Sequence, residues 1–155
     1  MILTTEHIRI CMDKEWSSIP SIATDGAAGF DLKAVVKGTE TLHPNETKLI
    51  SLGFKIAIPN GYCGLIVPRS GLSTKHGIVL ANTVGVIDSD YRGTVMVALK
   101  NTSDTSFNVE SGLRIAQMLF LPVSIPNFMV CTDSEFIQDY STERQGGGFG
   151  STGEN

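Results

Sequence analysis

The stretch TVMVALKN, residues 94–101, decides the class of fold. Val95, Val97 and Leu99 fall on one face of an extended chain, and Thr94, Met96, Ala98 and Lys100 fall on the other. Successive side chains of a strand point to opposite faces, so this period of two belongs to a strand with one side against a core. Working outward, short apolar or alternating runs recur as HIRIC (7–11), FDLKAVV (30–36), TKLISL (47–52), FKIAI (54–58), YCGLIVP (62–68), GIVLA (77–81), SFNV (106–109), RIAQMLFLPV (114–123) and FMVC (128–131). Turn-forming clusters separate them: TDGAAG, HPNET, PNGY, SDYRG, NTSDTS and ESG. About ten short strands at regular spacing predict an all-β domain, a jelly-roll-like barrel or sandwich. Only SGLSTKHG (70–77) reads as a helix, and a short one. From residue 133 onward the apolar content falls, which predicts a β domain over 1–132 followed by a C-terminal arm over 133–155.

The chain has 155 residues, enough for one domain. Hydrophobic residues make up 41% and charged residues 18%, which supplies a core and excludes a disordered chain. The formal net charge of -4 argues against nonspecific binding to nucleic acid or to a membrane surface, since a polyanion needs a basic patch. A small anion needs only a few arginines placed together, and there are five: Arg9, Arg69, Arg92, Arg114 and Arg144. Cys11, Cys63 and Cys131 are odd in number and far apart, so neither a zinc ribbon nor a disulfide framework is indicated. His7, His43 and His76 also stand alone. With no signal pattern and no apolar run near the ~18 residues of a membrane span, the expectation is a soluble intracellular protein, working in the cytoplasm.

Five stretches carry chemistry. PRSGLS (68–73) sets Arg69 and Ser70 where an apolar strand meets a Gly-containing turn; free N–H groups there and a guanidinium fork suit phosphate. AAGFDLKA (27–34) puts Asp31 inside an apolar strand, where a carboxylate must be paired, hydrogen-bonded or near a metal. ANTVGVIDSDYRG (81–93) places Asp88 directly after Val86 and Ile87, at a strand end rather than a loop tip, with Tyr91 beyond it as a possible platform for a ring. RIAQMLF (114–120) interrupts an apolar strand with Arg114 and Gln117, both of which need partners if they point inward. RQGGGFGSTG (144–153) has the composition of a loose tail, yet carries Arg144, Phe149, Ser151 and Thr152. Read singly, each stretch also fits a plain structural role: a strand-end arginine, a turn-capping or arginine-paired aspartate, an ordinary Asp-Ser-Asp turn, a disordered end. Read together, they hold what a nucleoside triphosphate requires: arginines for phosphate, aspartates, and two rings for a base and a sugar.

In their order and spacing these five stretches resemble the five motifs of the homotrimeric deoxyuridine triphosphatase (dUTPase) family, from about residue 24 to residue 153. The resemblance implies a jelly-roll subunit and a homotrimer whose active sites are shared between chains. It implies hydrolysis of dUTP to dUMP and pyrophosphate with Mg²⁺, a reaction that keeps uracil out of DNA and supplies dUMP for thymidylate synthesis. Asp88 would be the general base, and Asp31 would approach the metal through water. Arg69, Ser70, Gly71 and Gln117 would hold phosphates. Asn82, Gly85 and Val86 would receive the uracil and Tyr91 the deoxyribose, with Met96 also among the substrate-binding residues. Arg144, Phe149, Gly150, Ser151 and Thr152 would close over the nucleotide from a neighbouring chain's arm. A deoxycytidine triphosphate deaminase shares the fold but needs a Glu poised over the base ring.

Overall fold

A computed structural model describes residues 7–15, 17–142 and 146, and ten strands and two helices form among them. One sheet takes the order β1-β4-β8-β6, from β1 (Arg9–Met12), β4 (Thr47–Ala57), β8 (Thr94–Asn101) and β6 (Ile78–Leu80). A second takes the order β2-β10-β5-β7, from β2 (Phe30–Lys33), β10 (Arg114–Pro122), β5 (Tyr62–Pro68) and β7 (Gly85–Ile87). A two-stranded sheet pairs β3 (Thr39–Leu42) with β9 (Phe107–Glu110). Every strand pair is antiparallel.

The period of two in residues 94–101 is realised as read. Val95 (0% exposed), Val97 and Leu99 lie in the core, whereas Met96 is 42% exposed. The second sheet contributes Leu32, Ile66, Ala116 and Met118 to the same apolar cluster. Each of the larger side chains, fully buried, stabilises the fold by about 1.5–3 kcal/mol. Asn101 is buried among them without cost in unmet hydrogen bonds. Its Nδ2 donates to the carbonyls of Leu42 (3.0 Å) and Thr105 (2.7 Å), and its Oδ1 accepts from Ser103 N (2.9 Å) and Ser103 Oγ (2.8 Å).

The structure departs from the sequence reading in four elements. TKLISL and FKIAI are one strand, β4, not two. The ladder with β8 jumps from Ser51↔Met96 to Lys55↔Thr94, and the surplus residues are absorbed around Gly53, whose φ of 71° is open to glycine but costly for other residues. TETL (39–42) forms β3 despite its polarity, because β9 pairs with it and Leu42 is buried. FMVC (128–131) pairs with no strand among the described residues of this chain. A second helix, α2 (Asp133–Tyr140), follows the first, α1 (Ser70–His76).

Two compact units result, residues 1–124 with all ten strands and residues 125–155 with α2. A capping box starts α2: Thr132 Oγ1 accepts from Glu135 N (3.3 Å), and Glu135 Oε2 accepts from Thr132 N (2.8 Å). Those bonds to Thr132 hold the Glu135 carboxyl below the usual carboxylate range. No helix among the described residues is long and apolar enough to cross a membrane.

Candidate active site

Three adjacent strands build a corner that gathers Asp31, Arg69 and Arg114. Across β2, β10 and β5, Asp31 stands opposite Gln117, and Gln117 opposite Val67, one residue short of the strand end at Pro68. Opposed residues share a face, so Asp31 and Gln117 point the same way. Arg114, three residues before Gln117, would point the other way on a regular strand. The ladder is not regular: Arg114 pairs with Lys33 and Ala116 with Leu32, so Ile115 is an extra residue and turns into the core at 1% exposure. This bulge re-aims Arg114 onto the face of Asp31.

The Asp31 carboxylate, in a residue 8% exposed, therefore meets two guanidinium groups. Arg114 Nη1 donates to Oδ2 at 3.0 Å, and Arg69 Nε lies 3.2 Å from Oδ1. The Nε–H of Arg69 is not aligned for a hydrogen bond, so that contact is an ion pair only. Arg69 Nη1 also donates to the carbonyl of Arg114 (3.2 Å), which ties the end of β5 to the start of β10. Two cations around one anion leave the corner with a surplus positive charge. Ser70 and Gly71 open α1 from an extended Arg69 with no side-chain cap; Leu72 N already donates to Arg69 O (3.1 Å), so the N–H groups of Ser70 and Gly71 are the ones with no helical partner. Gln117 reaches over Gly29, where a Cβ would lie 3.0 Å from its Oε1. The structure thus gathers Asp31, Arg69, Ser70, Gly71 and Gln117, and adds Arg114. Only the bulge makes Arg114 a member, and no periodicity in RIAQMLF announces it.

A second constellation lies at the open edge of the sandwich. A cleft of about 210 Å³ is lined by Ile66, Leu80, Asn82, Gly85, Val86 and Met96, among others. The predicted base-binding residues therefore come together. A tight turn shapes the cleft: Ala81 N donates to Ala98 O (2.8 Å), Val84 N to Asn82 O (2.6 Å), and Thr83 adopts a φ of 63°. That φ is uncommon for a β-branched residue and is a local strain of the kind found at binding sites. β7 is the last strand of its sheet, so alternate main-chain groups of Gly85–Ile87 face away from β5.

Asp88 follows Ile87 directly and is exposed. Its carbonyl accepts from Tyr91 N (3.2 Å), and Arg92 Nη1 locks the turn by donating to Ser89 O and Tyr91 O (both 2.7 Å). Tyr91 is 41% exposed; its hydroxyl donates to Thr94 O (2.9 Å), and its ring covers Gly93, where any Cβ would overlap it. The two constellations do not meet within one chain. Ile87 pairs with Gly64, which sets Asp88 level with Cys63, six residues before Arg69. At about 3.3 Å per residue the separation is roughly 20 Å.

Arg144, Phe149, Gly150, Ser151 and Thr152 lie outside the described residues. Among the described residues no group of three or more His, Cys, Asp or Glu side chains could hold a metal by itself. The corner offers one carboxylate, Asp31, already shared between two arginines. That donor set suits a hydrated ion brought in by a ligand rather than a protein cage.

Comparison with known proteins points the same way. The dUTPase family model matches residues 15–153. The deoxyuridine 5'-triphosphate nucleotidohydrolase of Mannheimia succiniciproducens is 50% identical over 137 residues, and that of Tolumonas auensis 47% over 136, each alignment covering 87% of both chains. A dUTPase of Staphylococcus bacteriophage 80alpha, solved with dUpNHpp, matches with a TM-score of 0.85 at 26% identity over 96% of this chain and 99% of that one. A family match over nearly the whole length, and relatives close to half identical, place this chain in the dUTPase family.

Proposed function

We propose that the chain hydrolyses dUTP to dUMP and pyrophosphate in active sites assembled from three copies. The observation that carries this reading is the separation just described: an unencumbered carboxylate beside a nucleoside-sized cleft, and a cationic corner roughly 20 Å away along β5. In-line attack needs reacting atoms about 3–3.5 Å apart. A second copy that brings its 82–91 segment to the corner of the first satisfies both demands.

In that arrangement uracil enters the cleft and pairs with main-chain groups near Asn82, Gly85 and Val86, with Met96 at its side. Cytosine presents a donor where uracil presents an acceptor, and a mispaired buried group is heavily penalised. Tyr91 lies flat on the deoxyribose and leaves no room for a 2'-hydroxyl. The triphosphate runs to Arg69, to the N–H groups of Ser70 and Gly71, and to Gln117. Asp88 orients a water, takes its proton as the oxygen attacks the α-phosphorus, and pyrophosphate leaves opposite. Asp31 would approach, through water, a magnesium ion carried on the triphosphate, and that ion would supply neutralising charge for the leaving group. Residues 133–155 act as an arm over a neighbouring site, with Arg144, Ser151 and Thr152 on the γ-phosphate and Phe149 and Gly150 over the uracil. Closure excludes water other than the nucleophile.

The test is pyrophosphate release, coupled to a pyrophosphatase, with dUTP, dCTP, dTTP and UTP, for the whole chain and for one lacking residues 142–155. The whole chain should turn over dUTP alone at a high rate, and the shortened chain should stay folded with little activity. Equal rates on all four nucleotides would overturn the substrate assignment, and full activity after truncation would overturn the arm.

A further inference from the structure

The β4–β8 ladder is broken between the pairs Ser51↔Met96 and Lys55↔Thr94, and Thr94 begins β8 at the edge of that break. Asp13, just past the end of β1, fills the opening. Its N–H donates to Gly53 O (2.7 Å), and its Oδ2 accepts from Thr94 Oγ1 (2.6 Å). The main chain of the same Thr94 accepts the hydroxyl of Tyr91 (2.9 Å). One threonine is therefore clamped by its side chain while its carbonyl holds the ring that the proposed mechanism lays on the sugar.

We infer that Asp13, acting through Thr94, is a positioning residue for Tyr91 and so for the choice of deoxyribose over ribose; this rests on the function proposed above. The hydroxyl–carboxylate bond is charge-assisted and among the shorter bonds of the molecule, so it fixes the Thr94 side chain at the edge of the break, where the ladder holds the main chain only through the pair with Lys55. Behind it lies a cavity of about 560 Å³, lined also by Lys14, Val35, Lys37 and Ser51. Removing the Asp13 carboxylate opens Thr94 to that cavity, and among the described residues no other acceptor holds the Thr94 hydroxyl. The Thr94 side chain then loses its anchor, and its carbonyl, at the first residue of β8 beside the break, can shift together with Tyr91. A misplacement of about 1 Å at a site can cost 10²-fold in rate. A displaced ring also makes room for the 2'-hydroxyl that it is there to exclude.

The experiment compares Asp13→Ala, Asp13→Asn and Thr94→Val with the wild type, on dUTP and on UTP, at matched solution mass. Asp13→Ala should raise KM for dUTP about tenfold with a smaller change in kcat, and should raise the relative kcat/KM for UTP about tenfold. Asp13→Asn keeps an acceptor oxygen and should stay within about threefold of the wild type. Thr94→Val keeps the shape of the threonine and should reproduce Asp13→Ala, and the double variant Asp13→Ala/Thr94→Val should be no worse than either alone. Variants that keep the wild-type preference for dUTP over UTP, or that lose activity on both substrates in equal proportion, overturn the role of Asp13 alone. A wild type inert toward dUTP overturns the functional reading beneath it.

Discussion

The Asp31 carboxylate lies between two guanidinium groups, while that of Asp88 is exposed and, among the described residues, accepts no hydrogen bond. Proton abstraction needs a free lone pair on a group that can hold the proton afterwards. Asp31 is committed to organising Arg69 and Arg114, whereas Asp88 is held only through its main chain, by Tyr91 N at 3.2 Å. Read singly, both aspartates fitted plain structural roles, and only the resemblance made Asp88 the base and sent Asp31 toward the metal; their partners in the structure agree with that division. Asp88→Asn keeps the size of the side chain and leaves the turn to Arg92, whose bonds reach only carbonyls of Ser89 and Tyr91. Its kcat on dUTP should fall by about 10²–10⁴-fold, the usual worth of a general base, with nucleotide affinity within a few-fold of the wild type. Steady-state kinetics together with dUMP binding by calorimetry measure both. A parallel loss of affinity would instead assign Asp88 to the shape of the turn.

At the scale of elements, the regular strands were legible and the irregular ones were not. YCGLIVP and TVMVALKN become β5 and β8 at the residues read, because alternation reports directly which side faces the core. The two bulges, at Gly53 in β4 and Ile115 in β10, leave no trace in alternation, since each is a property of the pairing between two strands. They are also the features that aim site residues: one turns Arg114 toward Asp31, the other opens the ladder to Asp13. The start of α2 did carry a signal, Thr132 followed by Glu135, which the fall in hydrophobicity masked. The cleft at Asn82, Gly85 and Val86 was legible in its residues but not in its cause, the position of β7 at the edge of a sheet. Asn101 shows how the framework behind the cleft is held, since it joins β8 to Leu42 of β3 and to the turn at Ser103 and Thr105. Asn101→Leu would leave the buried carbonyl of Leu42 without its donor and Ser103 N without its acceptor. It should cost about 1–3 kcal/mol, read as a lower urea midpoint with unchanged slope at fixed protein concentration.

For the whole molecule, the deciding quantity is the distance along β5. The strand pairs with β10 on one side and with β7 on the other, so it carries the cationic corner at its C-terminal end and holds Asp88 near its start. A rigid strand cannot fold back to close a gap of roughly 20 Å. A chain that does this chemistry must therefore take Asp88 and Arg69 from different copies, and that is testable without seeing the assembly. Asp88→Asn and Arg69→Ala should each be nearly inactive alone. Unfolded together in equal amounts and refolded, they should form mixed assemblies in which some sites join the intact corner of one variant to the intact Asp88 of the other. Random mixing in a cyclic trimer makes about one site in four complete, so activity should recover to about a quarter of the wild-type value. If Asp88 and Arg69 of the same chain made one site, every site would carry one lesion and mixing would restore nothing. Recovery together with the solution mass of three chains would establish shared sites, whereas recovery absent at that mass would place the whole reaction within a single chain and contradict the geometry of β5.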